Sequence, residues 1–521
     1  MQDRIEKKWT GNNKEVLILG FFILLKLVIC AFPFEYGYFR DELYYIALSH
    51  HLDWGYIDVP PLLPLCIALL RCTIGNSLLA IHLFSAMTGV LVLIIVWMMV
   101  KKMGGQLFAQ VLALLCVSLA PHYLAISSMC NYDCLNQIFW ALALYFLIAL
   151  LSSENKKYWM CFGIAAGLGL MSKFDMLWLG AGIAIALILT SQRKCFFTHH
   201  FWMGGIIALI IVSPYLIWIA THDFLTLEYF INYRSQTQPI TIFERVIQQI
   251  WTLNALAFPV WAIGLYYFLF NKTGKKFILL GIAYFAVMFL CTLLHTKFYL
   301  SLPYYVVLFA GGAVCIESFF AERSYKNNGL LTVYIILIAG LGLFFVPYVK
   351  PVFPIPIFIK YAEVVNHILP SFQTERGIMQ TTIPQHFADR FGWEEMAAEF
   401  GRICNSLPDE ERKNSVIVVD NYGEAGAIDF YREKYNLPQV ICGHLQYYLW
   451  MPKDLPEKTI VISLERDGIN DPKKVLNDVK QVGMTRSKYA IYYECNVPIC
   501  LSKDFKISPQ KVLQSLKNIS M

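Results

Sequence analysis

The feature that most constrains this chain is a succession of apolar blocks, each close to the roughly 17–22 residues that cross a bilayer as helix. Eleven such blocks stand at residues 15–34, 79–100, 106–122, 135–151, 158–171, 175–190, 202–220, 249–270, 277–294, 302–320 and 329–347. The block 158–171 is short, and a tilt or a local thinning of the bilayer would accommodate it. Only 15% of the 521 residues are charged, and 57% are hydrophobic. That balance, with a mean hydropathy of +0.50, does not suit a single soluble core. The expectation is therefore a polytopic α-helical membrane protein of about eleven transmembrane helices. The first block lacks a small-residue cleavage site and reads as a retained span. The chain has no basic tract and no nucleic-acid motif, so nucleic-acid binding is discounted.

Basic residues fall in every second loop. Arg4, Lys7, Lys8 and Lys14 precede the first block. Lys101-Lys102, Lys156-Lys157, Arg193-Lys194, Lys272 with Lys275-Lys276, and Arg323 with Lys326 follow in alternation. The positive-inside rule places all of these, and the N-terminus, in the cytoplasm. The long loop 35–78 and everything after Pro347 are then extracytoplasmic. The chain is then expected in the inner (plasma) membrane, with its C-terminal part outside the cytoplasm. The outer loops carry acids, including Glu35, Asp41, Glu42, Asp53, Asp58, Asp133, Asp175, Asp223, Glu228 and Glu244, and they are rich in Trp and Tyr. Most charges sit at loop level, with Lys26 an exception inside the first block.

Past Tyr348 the composition changes. Pro351, Pro354 and Pro356 make a stiff linker. The spacing predicts a helix over 385–406 and short buried strands at 415–419, 439–442 and 459–464, alternating with helices near 424–434 and 472–480. This is a small α/β domain. The chain thus divides into a membrane core, 1–350, and a soluble C-terminal domain, 351–521. Cys404, Cys442, Cys495 and Cys500 lie in the latter. An extracytoplasmic setting permits disulfides, and sequence alone leaves disulfide and free thiol open.

Several outer-loop residues can carry chemistry. Arg40-Asp41-Glu42 opens a predicted helix, where helix capping is the simpler role for the two acids. Asp53-Trp54-Gly55-Tyr56-Ile57-Asp58-Val59-Pro60-Pro61 reads as a surface turn. Asp133 stands at the outer end of a span, as an interfacial anchor or part of a polar cavity. Lys173 and Asp175 flank a short turn and suit an ion pair. Lys297, in His295-Thr296-Lys297-Phe298-Tyr299, can snorkel to headgroups or hold a phosphate. Asn421-Tyr422-Gly423-Glu424-Ala425-Gly426 lies at a strand-to-helix turn, a place where α/β domains bind ligands. Its glycines equally suit a tight turn and close helix packing. Each signal is weak alone. Together they place acids, cations and aromatics on one side of one membrane, as a polar headgroup with a lipid tail requires.

The strings Tyr36-Gly37-Tyr38-Phe39-Arg40-Asp41-Glu42-Leu43-Tyr44-Tyr45, His51-Leu52-Asp53-Trp54-Gly55-Tyr56 and Asp58-Val59-Pro60-Pro61-Leu62 resemble bacterial family 39 glycosyltransferases. These are relatives of the dolichyl-phosphate-mannose protein mannosyltransferases, in the GT-C class. The likeness runs on through Gly169-Leu170-Met171-Ser172-Lys173, Ser213-Pro214-Tyr215-Leu216-Ile217-Trp218, Lys297-Phe298-Tyr299-Leu300 and Pro303-Tyr304-Tyr305. It extends into the tail at residues 387–396 and 421–431. The stretch Ala220-Thr221-His222-Asp223-Phe224 lacks an expected Asn, and Phe298 stands where Tyr is commoner.

The resemblance implies a GT-C fold and inverting transfer of a sugar from a polyprenyl-phosphate carrier to a glycan, lipid or protein of the cell envelope. Asp41 would be the base, with Glu42 as a second carboxylate. Arg40, Lys173, Lys297, His295 and Tyr299 would face the donor and its phosphate. Tyr44, Asp58 and Asp133 would contact the acceptor or support the site; the resemblance assigns the tail motif no role, and Tyr422 and Glu424 are candidates for the same part because both residue types suit sugar hydroxyls. Asp41, Glu42 and Asp133 are candidate ligands should a divalent cation, Mg or Mn, take part. The rival readings are a secondary transporter, which would call for broken helices and inverted repeats at mid-membrane, and a non-catalytic envelope scaffold.

Overall fold

The computed structural model describes residues 2–32, 36–153, 155–237, 239–322, 329–368, 383–466 and 472–520. Glu35, Arg323 and Lys326 lie outside the described residues. The chain forms two compact units. The first is built from residues 1–33, 79–217 and 237–353, and the second from 34–78, 218–236 and 354–521.

Among its described residues the first unit is helical. Among the described residues six helices are long and apolar enough to cross a membrane: Leu78–Met103, Tyr132–Leu151, His199–Thr221, Lys275–Leu293, Phe298–Ala321 and Gly329–Val349. Two bent pairs bring the count to eight if each is one span, Met176–Leu189 with Ser191–Phe197 and Ile242–Thr252 with Ala255–Leu269. Leu107–Leu119 and Tyr158–Leu170 are shorter apolar helices. The structure thus gives six to eight long spans where block length predicts about eleven. The helix Gln2–Ala31 takes in residues 15–31 of the first predicted block.

Two breaks have local causes. The block 106–122 is cut at Ala120, because Pro121 begins a new short helix, Pro121–Ile126. The block 249–270 is cut at Asn254, whose φ of 72° ends one helix. Its side chain caps the next turn at the Leu256 NH and donates to the Ile338 carbonyl at 2.9 Å. Helices Phe258–Leu269 and Tyr305–Glu322 pack through Gly264 and Gly312. A Cβ on Gly312 would fall 1.8 Å from the Val260 carbonyl oxygen, so only glycine allows this approach. The mid-span Lys26 is buried and donates to the Tyr123 carbonyl at 2.9 Å, a backbone partner that offsets the cost of a polar group in hydrocarbon.

The second unit is α/β. Its strands are β1 (Ser415–Val418), β2 (Val440–Ile441), β3 (Ile460–Leu464), β4 (Leu476–Asn477), β5 (Lys480–Met484), β6 (Pro498–Ser502) and β7 (Asp504–Phe505). Five form one sheet in the order β2-β1-β3-β6-β5. β1 pairs in parallel with β2 and β3, while β6 runs antiparallel to β3 and β5. β4 and β7 pair separately. β3 is buried along its whole length, and β5 is a largely exposed edge that starts at Lys480. The proline-rich linker leads into a further helix, Ile355–Ile368, with Pro356 in its first turn, where its missing NH costs nothing. The four tail cysteines are free thiols.

Outside the sheet, the unit includes helices Arg40–His50, Leu62–Thr73 and Leu225–Gln236. Tail residues hold each of the three stretches together. The Arg40 NH donates to the Asp389 carbonyl, and Tyr36 packs against Phe387 and Phe391. The Ile57 NH donates to Gln446, and Asn232 donates to the Ile519 carbonyl.

Candidate active site

The Arg40–His50 helix begins after the extended residue Phe39. Glu42, at its third position, turns back so that Oε2 accepts the Phe39 NH at 2.8 Å, and the side chain is buried. Glu42 thus fills the capping role that the sequence makes its simpler one. Asp41 points differently. Its side chain is 26% exposed, and Oδ1 accepts from the Tyr422 hydroxyl at 2.8 Å and from Arg40 Nε at 3.4 Å. Arg40 also donates to the Tyr493 hydroxyl at 3.2 Å, and its guanidinium lies 5.3 Å from the centre of the Tyr422 ring.

Beside them, the Tyr44 ring packs 4.8 Å from Tyr422, and the Tyr44 hydroxyl donates to Asp58 at 2.7 Å. Burial, reinforced by the charge of Asp41, pushes the Asp58 carboxyl up to about 7, against the opposing pull of the Tyr44 hydrogen bond. Arg40, Asp41, Tyr44, Asp58 and Tyr422 therefore form one constellation inside the second unit.

Tyr422 opens the helix Tyr422–Phe430, which follows β1 after the turn Val419-Asp420-Asn421. Asn421 caps it by accepting the Gly423 and Glu424 NH groups at 2.9 and 3.0 Å. Glu424 returns the bond, accepting the Asn421 NH at 3.1 Å. Glu424 is fully buried, and Arg466 pairs with it at 2.5 Å. Arg466 also pairs with Asp420 and with Glu494, each at 2.9 Å. Burial and the neighbouring Glu424 push the Glu494 carboxyl well above its usual range, while Arg466 holds Glu424 below its own. The glycines of the motif serve close packing. A Cβ on Gly423 would fall 2.4 Å from Arg40 Cγ, and one on Gly426 would fall 3.0 Å from the Leu43 and Tyr44 backbone.

A second constellation lies in the first unit. Lys173 Nζ pairs with Asp133 at 2.5 Å and with Asp175 at 3.8 Å. The expected partner of Lys173, Asp175, is the more distant one. It is held by Asn136 at 2.9 Å and Trp140 at 3.3 Å. Lys173 also faces the rings of Tyr132 and Tyr299, at 4.4 and 5.4 Å. Lys297 approaches the same Tyr299 ring at 6.0 Å. His295, with φ of 54°, forms the turn before Lys297. Of the three candidate metal ligands, Asp41 and Glu42 belong to one unit and Asp133 to the other. Among the described residues no three His, Cys, Asp or Glu side chains cluster as a metal site.

Sequence reasoning passes over three supporting residues. Arg245 is buried and donates to the carbonyls of Cys291, Thr296 and Lys297 at 3.1, 2.6 and 3.2 Å, which fixes the Lys297 turn. The signal for it is the polar stripe of a capped amphipathic helix, Ile242–Thr252, on which Arg245 and Gln249 are the buried positions. Arg466 and Tyr493 have no local signal, since their partners lie far off in sequence.

The family described as dolichyl-phosphate-mannose-protein mannosyltransferase matches residues 58–218, less than a third of the chain. The chain has no match among curated proteins. Among solved structures it is similar to ArnT from Cupriavidus metallidurans in the apo state. The TM-score is 0.59 at 11% identity, over 95% of this chain and 98% of that one. The same protein bound to undecaprenyl phosphate gives 0.57 at 10% identity, over 93% and 97%. The arabinofuranosyltransferase AftD from Mycobacteria gives 0.51 at 11% identity, over 94% of this chain and 40% of that one. At such identities the likeness speaks to architecture alone: the chain has a fold like that of ArnT.

Proposed function

We propose that the protein is an inverting membrane glycosyltransferase of the family 39 kind, which moves a sugar from a polyprenyl-phosphate carrier to a cell-envelope acceptor. The observation that carries this reading is Asp41, a partly exposed carboxylate fixed by Tyr422 and Arg40 in a chain with a fold like that of ArnT. The solved relative bound to undecaprenyl phosphate supports the choice of a lipid-phosphate donor.

In the proposed step Asp41 takes the proton of an acceptor hydroxyl, which is too weak an acid to react alone. The oxygen then bonds to the anomeric carbon from the face opposite the phosphate. The bond from that carbon to the phosphate oxygen breaks, and the lipid phosphate leaves with the electron pair. Lys297 and Lys173 of the first unit are the candidates to balance its charge, with His295 and Tyr299 in the same unit, and Arg40 of the second unit is the other candidate. Asp58, Tyr44 and Asp133 support the site. A divalent cation, Mg or Mn, on Asp41, Glu42 and Asp133 would add to this positive charge. Asp133 is already paired with Lys173, and one oxygen of Glu42 with the Phe39 NH, so no step is routed through a metal. The reading also sets the N-terminus in the cytoplasm and the site and tail outside the inner membrane, with crossings up to eleven.

The test supplies purified protein with a labelled polyprenyl-phosphate sugar and a cell-envelope extract. Covalent transfer of label is expected, falling by about two orders of magnitude or more in Asp41→Asn. Label that crosses a liposome wall without transfer favours the transporter instead. Neither transfer nor transport leaves the scaffold. Chelation with add-back of Mg or Mn reads out the cation.

A further inference from the structure

We propose that Tyr422 is a positioning residue for Asp41: its hydroxyl holds the carboxylate in one orientation, and the tail motif around it exists to place that hydroxyl. This rests on the reading of Asp41 as the base.

Three observations carry it. The first is the bond itself. Two donors, the Tyr422 hydroxyl and Arg40 Nε, meet the same oxygen of Asp41 at 2.8 and 3.4 Å. Two donors on one oxygen fix the rotation of the carboxylate about its Cβ–Cγ bond, and a base acts only in a narrow range of orientations.

The second is how firmly Tyr422 is held. Its ring lies between Tyr44, at 4.8 Å, and His444, at 5.2 Å, with the Arg40 guanidinium at 5.3 Å. Its backbone is the first turn of a helix capped reciprocally by Asn421 and Glu424. Glu424 is anchored in turn by Arg466, which Asp420 and Glu494 hold. The chain of contacts from Arg466 to the Tyr422 hydroxyl has no slack residue in it.

The third is the small-residue face. Gly423 leaves room for the Arg40 side chain, and Gly426 lets the helix lie on the Leu43–Tyr44 backbone. The approach of the two helices sets how far the hydroxyl reaches. Glu424 is buried inside this support, so its role is to hold the turn, not to meet an acceptor.

The experiment compares wild type, Tyr422→Phe, Asp41→Asn and the double variant in the labelled-donor assay, with donor and extract titrated separately. Phenylalanine keeps the ring packing and removes the hydroxyl. We expect kcat to fall about tenfold in Tyr422→Phe, as loss of one charge-assisted hydrogen bond implies. Both KM values should stay within about twofold, because uniform binding is untouched. The double variant should be no slower than Asp41→Asn, because the hydroxyl acts through that carboxylate. Unchanged kcat in Tyr422→Phe overturns the proposal. So does a raised KM for the extract with kcat kept, which would make Tyr422 an acceptor contact, and so does a double variant slower than Asp41→Asn. Near-normal turnover in Asp41→Asn instead defeats the base assignment beneath it. Should Tyr422→Phe fail to fold, 3,5-difluorotyrosine at position 422 keeps ring and hydroxyl but donates more strongly. A lowered kcat is then expected, and an unaltered one overturns the proposal.

Discussion

The Tyr44 hydroxyl donates to Asp58 at 2.7 Å and accepts the Gln446 NH at 3.3 Å, so one phenol joins the first long loop to the tail. It also bears on stability. The Asp58 carboxyl is pushed up from 3.8 to about 7, chiefly by burial. Through that window the folded state holds a proton that the unfolded chain releases, so stability falls as pH rises. Asp58→Asn keeps an acceptor for Tyr44 and removes the titration. Its melting temperature is expected to lose this decline, measured in detergent between about pH 4 and 8, the span of the linkage. Parallel curves for variant and wild type would show that Asp58 does not titrate in the fold.

Gly426→Ala introduces a Cβ 3.0 Å from the Leu43 and Tyr44 backbone, which cannot yield as a side chain does. The expected loss is about 1–3 kcal/mol, the usual cost of overpacking. Gly180 has nothing within 4 Å of its built Cβ, so Gly180→Ala is the control and should be neutral or slightly stabilising. Equal melting temperatures in the two variants would count against the tight helix contact.

Arg466 pairs with Asp420, Glu424 and Glu494. Arg466→Leu leaves buried carboxylates without their counter-charge and is expected to cost about 3–5 kcal/mol in denaturant unfolding. Glu494→Gln should behave oppositely. Burial and the neighbouring Glu424 push the Glu494 carboxyl well above its usual range, so the neutral amide removes a group that disfavours the folded state as pH rises. A stability at pH 7 below wild type would show that Glu494 is charged in the fold.

Lys297 stands in a turn whose carbonyls Arg245 grips, so the turn is built rather than loose. If the residue holds the carrier phosphate, Lys297→Gln should weaken donor binding by about tenfold or more, and Lys297→Arg should keep part of it. Equilibrium binding of labelled donor to both variants decides the matter. Wild-type affinity in Lys297→Gln would make the lysine an interfacial anchor.

Helices of the membrane unit are legible because block length alone marks them. The predicted core 175–190 meets the helix Met176–Leu189, and 202–220 falls inside His199–Thr221. Length is a poor guide to how many helices cross unbroken, because one asparagine with positive φ or one proline divides a block that composition leaves continuous. In the tail, β1 and β3 are apolar runs and are read within a residue or two. The helix predicted over 385–406 is split by Gly392 at φ 93°. The helix predicted over 472–480 stops at Val475, because Leu476 and Asn477 pair with Phe505 and Asp504 instead. Strand pairing across the fold overrides local helix propensity there. Strand β5 escapes notice because most of its residues are exposed. In the candidate site, residue types are legible but partners are not. Tyr422 and Asp41 are 381 residues apart, and nothing near either names the other.

That separation has a consequence for how the protein is made. Helix Arg40–His50 leaves the ribosome well before the helix that packs on it, Tyr422–Phe430, since Asp41 and Tyr422 are 381 residues apart. At about 5–20 residues per second the first helix spends tens of seconds without its partner. Its contacts with Gly423, Gly426 and Tyr422 all arrive with that later helix. The first long loop must therefore be carried through insertion of every intervening helix as an unfinished element. A nascent chain stalled before residue 422 would expose it to proteases that the completed protein resists.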